Sequence, residues 1–169
     1  MDSTISAKAL AGPSWRFVAS HPAHCIALLA GVGLIRFAPG TFGSLGAVPL
    51  HLWAQAHLDA YVHLAGIAAL FVVGIWATGR TSRDLGVADH GGIVWDETVA
   101  FLLVLFFTPS DAVWQALAFV LFRVFDIFKP PPIRHFDRTL HGGFGVMFDD
   151  LLAAGYSLLC LAALKALLS

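Results

Sequence analysis

Four long apolar runs, at residues 61–78, 93–107, 112–128 and 146–168, are hard to place in any fold that has only water around it. A helix that crosses a bilayer needs about 20 predominantly apolar residues, and these runs approach that length. Of the 169 residues, 58% are hydrophobic and 12% are charged. A soluble domain is about 45–50% apolar and about 25% charged. A chain of this size makes one domain, and its surface-to-volume ratio is too high to hide such an excess from water. The composition therefore predicts an all-α integral membrane bundle, with residues 1–169 forming a single membrane domain.

Shorter features complete the expected topology. The apolar stretch at 23–35 contains Gly31 and Gly33 and is too short to span, so it is expected as a re-entrant or interfacial helix. It runs into "RFAPGTFGS" (36–44), which reads as a loop of helix breakers and hydroxyls. A helix over 45–58 follows, with Pro49 in its first turns, and Asp59 marks the next turn. "GRTSRDLGVADHGG" (79–92) reads as a short amphipathic helix with a glycine turn, and "KPPPIRHFDRTLHGGFG" (129–145) as a long polar loop. The sum is about five spans plus the short N-terminal element.

The positions of the charges orient this bundle. Arg80, Arg83, Lys129, Arg134 and Arg138 fall in two loops, whereas the "TPSD" connector between the helices at 93–107 and 112–128 has no Lys or Arg. Basic loops stay in the cytoplasm, so residues 79–92 and 129–145 are expected there, with Lys165 snorkelling at the opposite end. One membrane face then receives Asp84, His90, Asp96, Glu97, Arg123, Asp126, Lys129, Arg138, His141, Asp149 and Asp150. Several of these lie inside apolar helices, where a charge costs about 2.5–3.5 kcal/mol even on insertion scales. Carboxylates from three helices at one depth call for basic partners or a bound cation.

Adjacent acids on a helix diverge by about 100°, so Asp96 and Glu97 border one site in different roles, as do Asp149 and Asp150. Arg123, Asp126 and Lys129 are spaced i, i+3, i+6 and form a ladder along one helix face. Carboxylate oxygens suit Mg²⁺, and arginine recognises phosphate through two parallel hydrogen bonds. The "PGTFGS" and "HGGFG" turns offer backbone N–H groups to phosphate oxygens.

Other classes are poorly served. The formal net charge of -1 gives no field that favours nucleic acid. Cys25 and Cys160 lie far apart in apolar segments and read as small buried hydrophobes without a disulfide. Residues 1–20 are polar, so no cleaved signal peptide is expected. His21, His24, His51, His57 and His63 read as interfacial residues without a role.

At "DHGGIVWDE", "FRVFDIFKPPPIRHFDR" and "HGGFGVMFDD", and less specifically at "PGTFGS", the sequence resembles the phosphatidylglycerophosphatase A family. The resemblance covers about residues 33–155. It implies a bacterial inner-membrane enzyme that removes the terminal phosphate of phosphatidylglycerophosphate in the presence of Mg²⁺. It implies that Asp96, Glu97, Asp126, Asp149 and Asp150 belong to the active site, and all five are candidate metal ligands. Asp96, Glu97, Asp126, Asp150 and His90 are the candidate catalytic groups. Arg123, Lys129, Arg138, His141, Thr41 and Ser44 are the candidates for holding the substrate. A lipid head-group phosphotransferase or a small cation transporter would use similar residues. However, the acids gather at one face instead of crossing the membrane, and the longer repeated aspartate motif of the CDP-alcohol phosphotransferases is absent.

Overall fold

In the computed structural model, which describes residues 12–168, two helices are long and apolar enough to cross a bilayer: Ala60–Leu85 and Gly142–Leu168. At 1.5 Å per residue they are each about 40 Å long. Only 22% of the most apolar window of either helix is buried. The core helix of a soluble protein would be mostly covered, so these two turn their apolar surface outward as helices in lipid do.

In chain order the helices are α1 (Trp15–Ser20), α2 (Pro22–Ala27), α3 (Pro39–His57), α4 (Ala60–Leu85), α5 (Trp95–Phe107), α6 (Ala112–Phe128), α7 (Ile133–Thr139) and α8 (Gly142–Leu168), with a 3₁₀ segment at Leu29–Leu34. No strand occurs among the described residues. The starts of α4 and α6 follow from aspartate caps. Asp59 Oδ1 accepts from the N–H groups of Tyr61 and Val62, and Asp111 Oδ1 accepts from those of Val113 and Trp114. Helix α4 stops at Gly86, whose φ of 73° suits glycine.

The short α5 is the central element and packs against α3, α4, α6 and α8. Val99, Phe101, Leu102, Val104 and Leu105 on it are all buried, and Phe122 of α6 and Met147 of α8 close around them. A ridge of small residues brings α3 onto α5. A Cβ on Gly43 would stand 2.7 Å from Val94 Cβ, and Thr98 Oγ1 donates to Gly43 O at 2.8 Å.

Several expectations change. The single short helix expected over 23–35 is α2 followed by a kinked 3₁₀ segment, because Ala30 and Gly31 take φ of 51° and 105°. The "PGTFGS" segment is helix, not loop. Pro39 occupies the first turn of α3, where its missing N–H is harmless, so Pro49 falls well inside that helix. Neither Gly79 nor the polar residues after it end α4, which runs on to Leu85, so the loop begins only at Gly86. The loop expected at 129–145 contains α7, and residues 142–145 of "HGGFG" already form the first turn of α8. Both cysteines are free, but Cys25 is exposed rather than buried. His24, His51 and His63 are buried rather than interfacial. The polar segment expected at 1–20 includes α1, and its first eleven residues lie outside the described part. Helices α5 and α6 have 13 and 17 residues, so α5 is short of a full span and α6 is at the lower end of the spanning range.

Candidate active site

The first turn of α5 sets the site. Val94 stands just before it, and its N–H donates to Ala27 O at 2.9 Å, which ties the N-terminal region to this turn. Asp96 and Glu97 follow immediately, at the positive end of the helix. Asp150, in the third turn of α8, meets them. One carboxylate oxygen from each of Asp96, Glu97 and Asp150 lies within 4.8 Å of the other two. Asp96 is 7% exposed and Asp150 3%.

The counter-charges do not match this concentration of acid. Arg123 Nη1 bonds Asp126 Oδ2 on its own helix, lies 3.7 Å from Glu97 Oε1 and reaches Ser44 Oγ at 3.5 Å. No cation of the chain pairs with Asp96 or Asp150 among the described residues. Asp96 Oδ1, Glu97 Oε2 and Asp150 Oδ2 are buried without a hydrogen-bond partner, as is Arg123 Nε. Buried charged groups left unpaired cost several kcal/mol each. The deficit is positive charge, and the donors are hard oxygens. That donor set suits a divalent cation with oxygen ligands at about 2.1–2.6 Å.

Glycine makes room for this arrangement. A Cβ on Gly40 would stand 1.9 Å from Glu97 Oε1 and 3.1 Å from Arg123 Nη1, so the start of α3 covers the pair closely. Ser44 is buried one turn further, donating to Gly40 O at 2.9 Å.

A second cluster flanks the first. Lys129, in a left-handed conformation at the end of α6, bonds Asp149 Oδ2 on α8 and, at 2.6 Å, Asp137 Oδ1 on α7. Burial alone would lower the Lys129 ammonium, but the two carboxylates hold it above the ordinary lysine value, so it stays charged near neutral pH. Asp149 Oδ1 has no partner. A cavity of about 140 Å³ lies beside it, lined also by Asp89, Asp137 and His141.

The expected site residues thus divide. Asp96, Glu97 and Asp150 come together, with Asp126, Arg123 and Ser44 around them. Asp149 and Lys129 face each other beside that group. Thr41 is half-buried in the first turn of α3, where its N–H donates to Ala38 O at 3.0 Å. His90 lies across the loop, its Nδ1 accepting from the Gly92 N–H at 3.0 Å. Arg138 is exposed at the end of α7, without an ion pair among the described residues. His141 is exposed, with Nδ1 3.0 Å from Thr139 O. Asp84 is drawn away into a separate cluster with Arg80 (2.7 Å) and His24 (2.9 Å). Sequence reasoning did not single out Gly40, Asp89 or Asp137. The only trace of Gly40 in the sequence is a glycine directly after the proline that starts a helix.

Comparison with known proteins agrees with the resemblance. The profile of the phosphatidylglycerophosphatase A family matches residues 25–165. A Haemophilus influenzae protein named phosphatidylglycerophosphatase A is 44% identical over 146 residues, covering 86% of this chain and 90% of the relative. An Escherichia coli protein of the same name is 42% identical over 142 residues, covering 82% and 80%. A Bacteroides thetaiotaomicron protein provisionally named a phosphatidylinositol-3-phosphatase is 37% identical over 142 residues, covering 80% and 88%. No solved structure matches the chain. With a profile that spans most of its length and relatives of this similarity, the chain belongs to the phosphatidylglycerophosphatase A family.

Proposed function

We propose that the protein hydrolyses the terminal phosphate of phosphatidylglycerophosphate to give phosphatidylglycerol, and that it does so with Mg²⁺ at the Asp96–Glu97–Asp150 cluster. The observation that carries this reading is the unpartnered oxygen on each of these three carboxylates, in a family whose relatives are named for the reaction. Mg²⁺ held there would supply the positive charge that the phosphoryl oxygens and the three carboxylates both need.

The chain's own groups do the rest. The Arg123 guanidinium, steadied by Asp126, offers its remaining N–H donors to the phosphoryl oxygens as charge builds on them. Asp149 Oδ1, free while Oδ2 takes the Lys129 ammonium, accepts a proton from the attacking water. The phosphorus–oxygen bond to the glycerol breaks, and the departing oxygen takes a proton from solvent. His90, Arg138, His141 and Thr41 lie outside this inner group and serve the head group or the loops around it.

The placement in the membrane belongs to the same proposal. Helices α4 and α8 span the bilayer, and α3, α5 and α6 are shorter spans beside them, in one multi-pass domain of the bacterial inner membrane. The basic residues Arg80, Arg83, Lys129, Arg134 and Arg138 set the end that carries the carboxylates in the cytoplasm.

The test is phosphate release from phosphatidylglycerophosphate by purified protein, with Mg²⁺ and with EDTA, beside Asp96→Asn. Release that requires Mg²⁺ and falls about 100-fold or more in the variant is expected. No release from folded protein would overturn the reaction, and release that survives EDTA would overturn the metal. Phosphatidylinositol 3-phosphate belongs in the same assay, because the Bacteroides relative is named for it. Turnover of it at a matching rate would widen the substrate class.

A further inference from the structure

A second cavity lies between the link that enters α3 and the loop that precedes α5. Its volume is about 490 Å³, within the roughly 300–1,000 Å³ range of small-ligand sites. Its wall runs from the 3₁₀ segment through Arg36 and Pro39 to His90, Gly91 and Gly92. Its floor is backbone. A Cβ on Gly33 would stand 1.8 Å from Gly92 O, so two bare chains touch there and no side chain fills the space above them.

The charge of this lining is opposite to that of the cavity of about 140 Å³ beside Asp149, which has three carboxylates. Among the described residues no carboxylate contributes here, and the one charged group is Arg36. Arg36 is exposed in the four-residue link between the 3₁₀ segment and α3 and forms no ion pair among the described residues. An arginine left unpaired in an acid-free cavity is suited to an anion, and its planar fork suits a phosphate. The cavity adjoins the candidate site along the chain: Pro39 lines it, and the next residue, Gly40, lies against Glu97 and Arg123.

We infer that this cavity is a second phosphate subsite, in which Arg36 holds the phosphodiester of the lipid head group while the terminal phosphate meets the Asp96–Glu97–Asp150 cluster. The inference rests on the proposed reaction, because that substrate carries two phosphates separated by one glycerol. It assigns Arg36 to substrate recognition and leaves the chemistry where it was. A lipid with one phosphate attached directly to diacylglycerol would have nothing to place beside Arg36.

The experiment compares wild type, Arg36→Ala and Arg36→Lys in mixed micelles. Two inhibitors separate the two phosphates: phosphatidylglycerol has only the diester, and orthophosphate resembles only the terminal group. In Arg36→Ala, KM for phosphatidylglycerophosphate and the inhibition constant of phosphatidylglycerol are both expected to rise about tenfold or more. The inhibition constant of orthophosphate is expected to stay put. Arg36→Lys, which keeps the charge without the fork, should recover part of the loss. Equal changes in both inhibition constants, or no change in either, would overturn the subsite. If the wild type releases no phosphate, the proposed reaction fails instead. The subsite is then read without turnover, from quenching of tryptophan fluorescence by phosphatidylglycerol with brominated chains. Equal binding by wild type and Arg36→Ala would overturn it.

Discussion

At the scale of single residues, two glycines make opposite predictions from the same kind of contact. A Cβ on Gly40 would strike Glu97 Oε1, the far end of a flexible side chain, whereas one on Gly143 would stand 1.8 Å from Ile75 O, part of the backbone of α4. Gly40→Ala should therefore displace the carboxylate and leave the fold alone. Activity is expected to fall about 10–100-fold, as for misplacement of a reacting group by about an ångström, with a thermal midpoint within a few degrees of wild type. Gly143→Ala should force α8 off α4 and cost about 1–3 kcal/mol, seen as a lower midpoint in detergent. If Gly40→Ala lost activity and stability together, the contact with Glu97 would not be what matters there. Residue identity alone did not separate these two positions, because both glycines lie in motifs that look like turns. The Arg123–Asp126 pair was legible, since i, i+3 spacing on a helix leaves few alternatives. Which of Asp149 and Asp150 joins the Asp96–Glu97 pair was not, because it depends on where α8 starts and hence on the rotation of each side chain about its axis.

At the scale of elements, Lys129 joins three helices. Its ammonium ties the end of α6 to Asp137 on α7 and Asp149 on α8. Asp149 is 5% exposed, so removing its partner leaves a buried charge uncompensated. Lys129→Met should destabilise the protein by about 1–3 kcal/mol, less than a fully buried pair would, because the lysine itself is partly solvated. Adding Asp149→Asn should restore most of that stability without restoring activity. Additive losses in the double variant would show that the two residues act separately. Helix α6 was readable to both ends, since Asp111 supplies a cap at one side and Pro130 follows at the other. The start of α3 is not legible in the sequence, because proline and glycine read there as breakers. Here Pro39 starts a helix, and Gly40 and Gly43 are the surface by which that helix approaches α5. Helix-breaking chemistry and close-packing chemistry use the same residues, and only the partner helix distinguishes them.

For the molecule as a whole, the carboxylate cluster is a source of instability until something neutralises it. Mg²⁺ should therefore raise the thermal midpoint of the wild type, by the equivalent of about 2.7 kcal/mol at a hundredfold excess over its dissociation constant. In EDTA, Asp150→Asn should be more stable than the wild type, because one buried negative charge is gone, and Mg²⁺ should stabilise it less. A wild type indifferent to Mg²⁺ would remove the cation from the cluster. Composition made the all-helical architecture legible, and the clustering of charge at one end followed from the loops. The difference in helix lengths did not follow, since the apolar runs look alike in sequence while α5 ends up half as long as α4 and α8.

That difference in length acts as a depth gauge. In the proposed placement α5 is about 20 Å long between neighbours twice its length, so its charged first turn sits in a recess below the level at which α4 and α8 leave the bilayer. A molecule tethered in the leaflet arrives at that level with its phosphate already lowered, and one dissolved in water must descend past the ends of the longer helices. The enzyme would then select its substrates by altitude before it reads their chemistry. A soluble phosphate monoester with the same glycerol should be a poor substrate in a membrane and a better one in detergent, where the recess is open from the side.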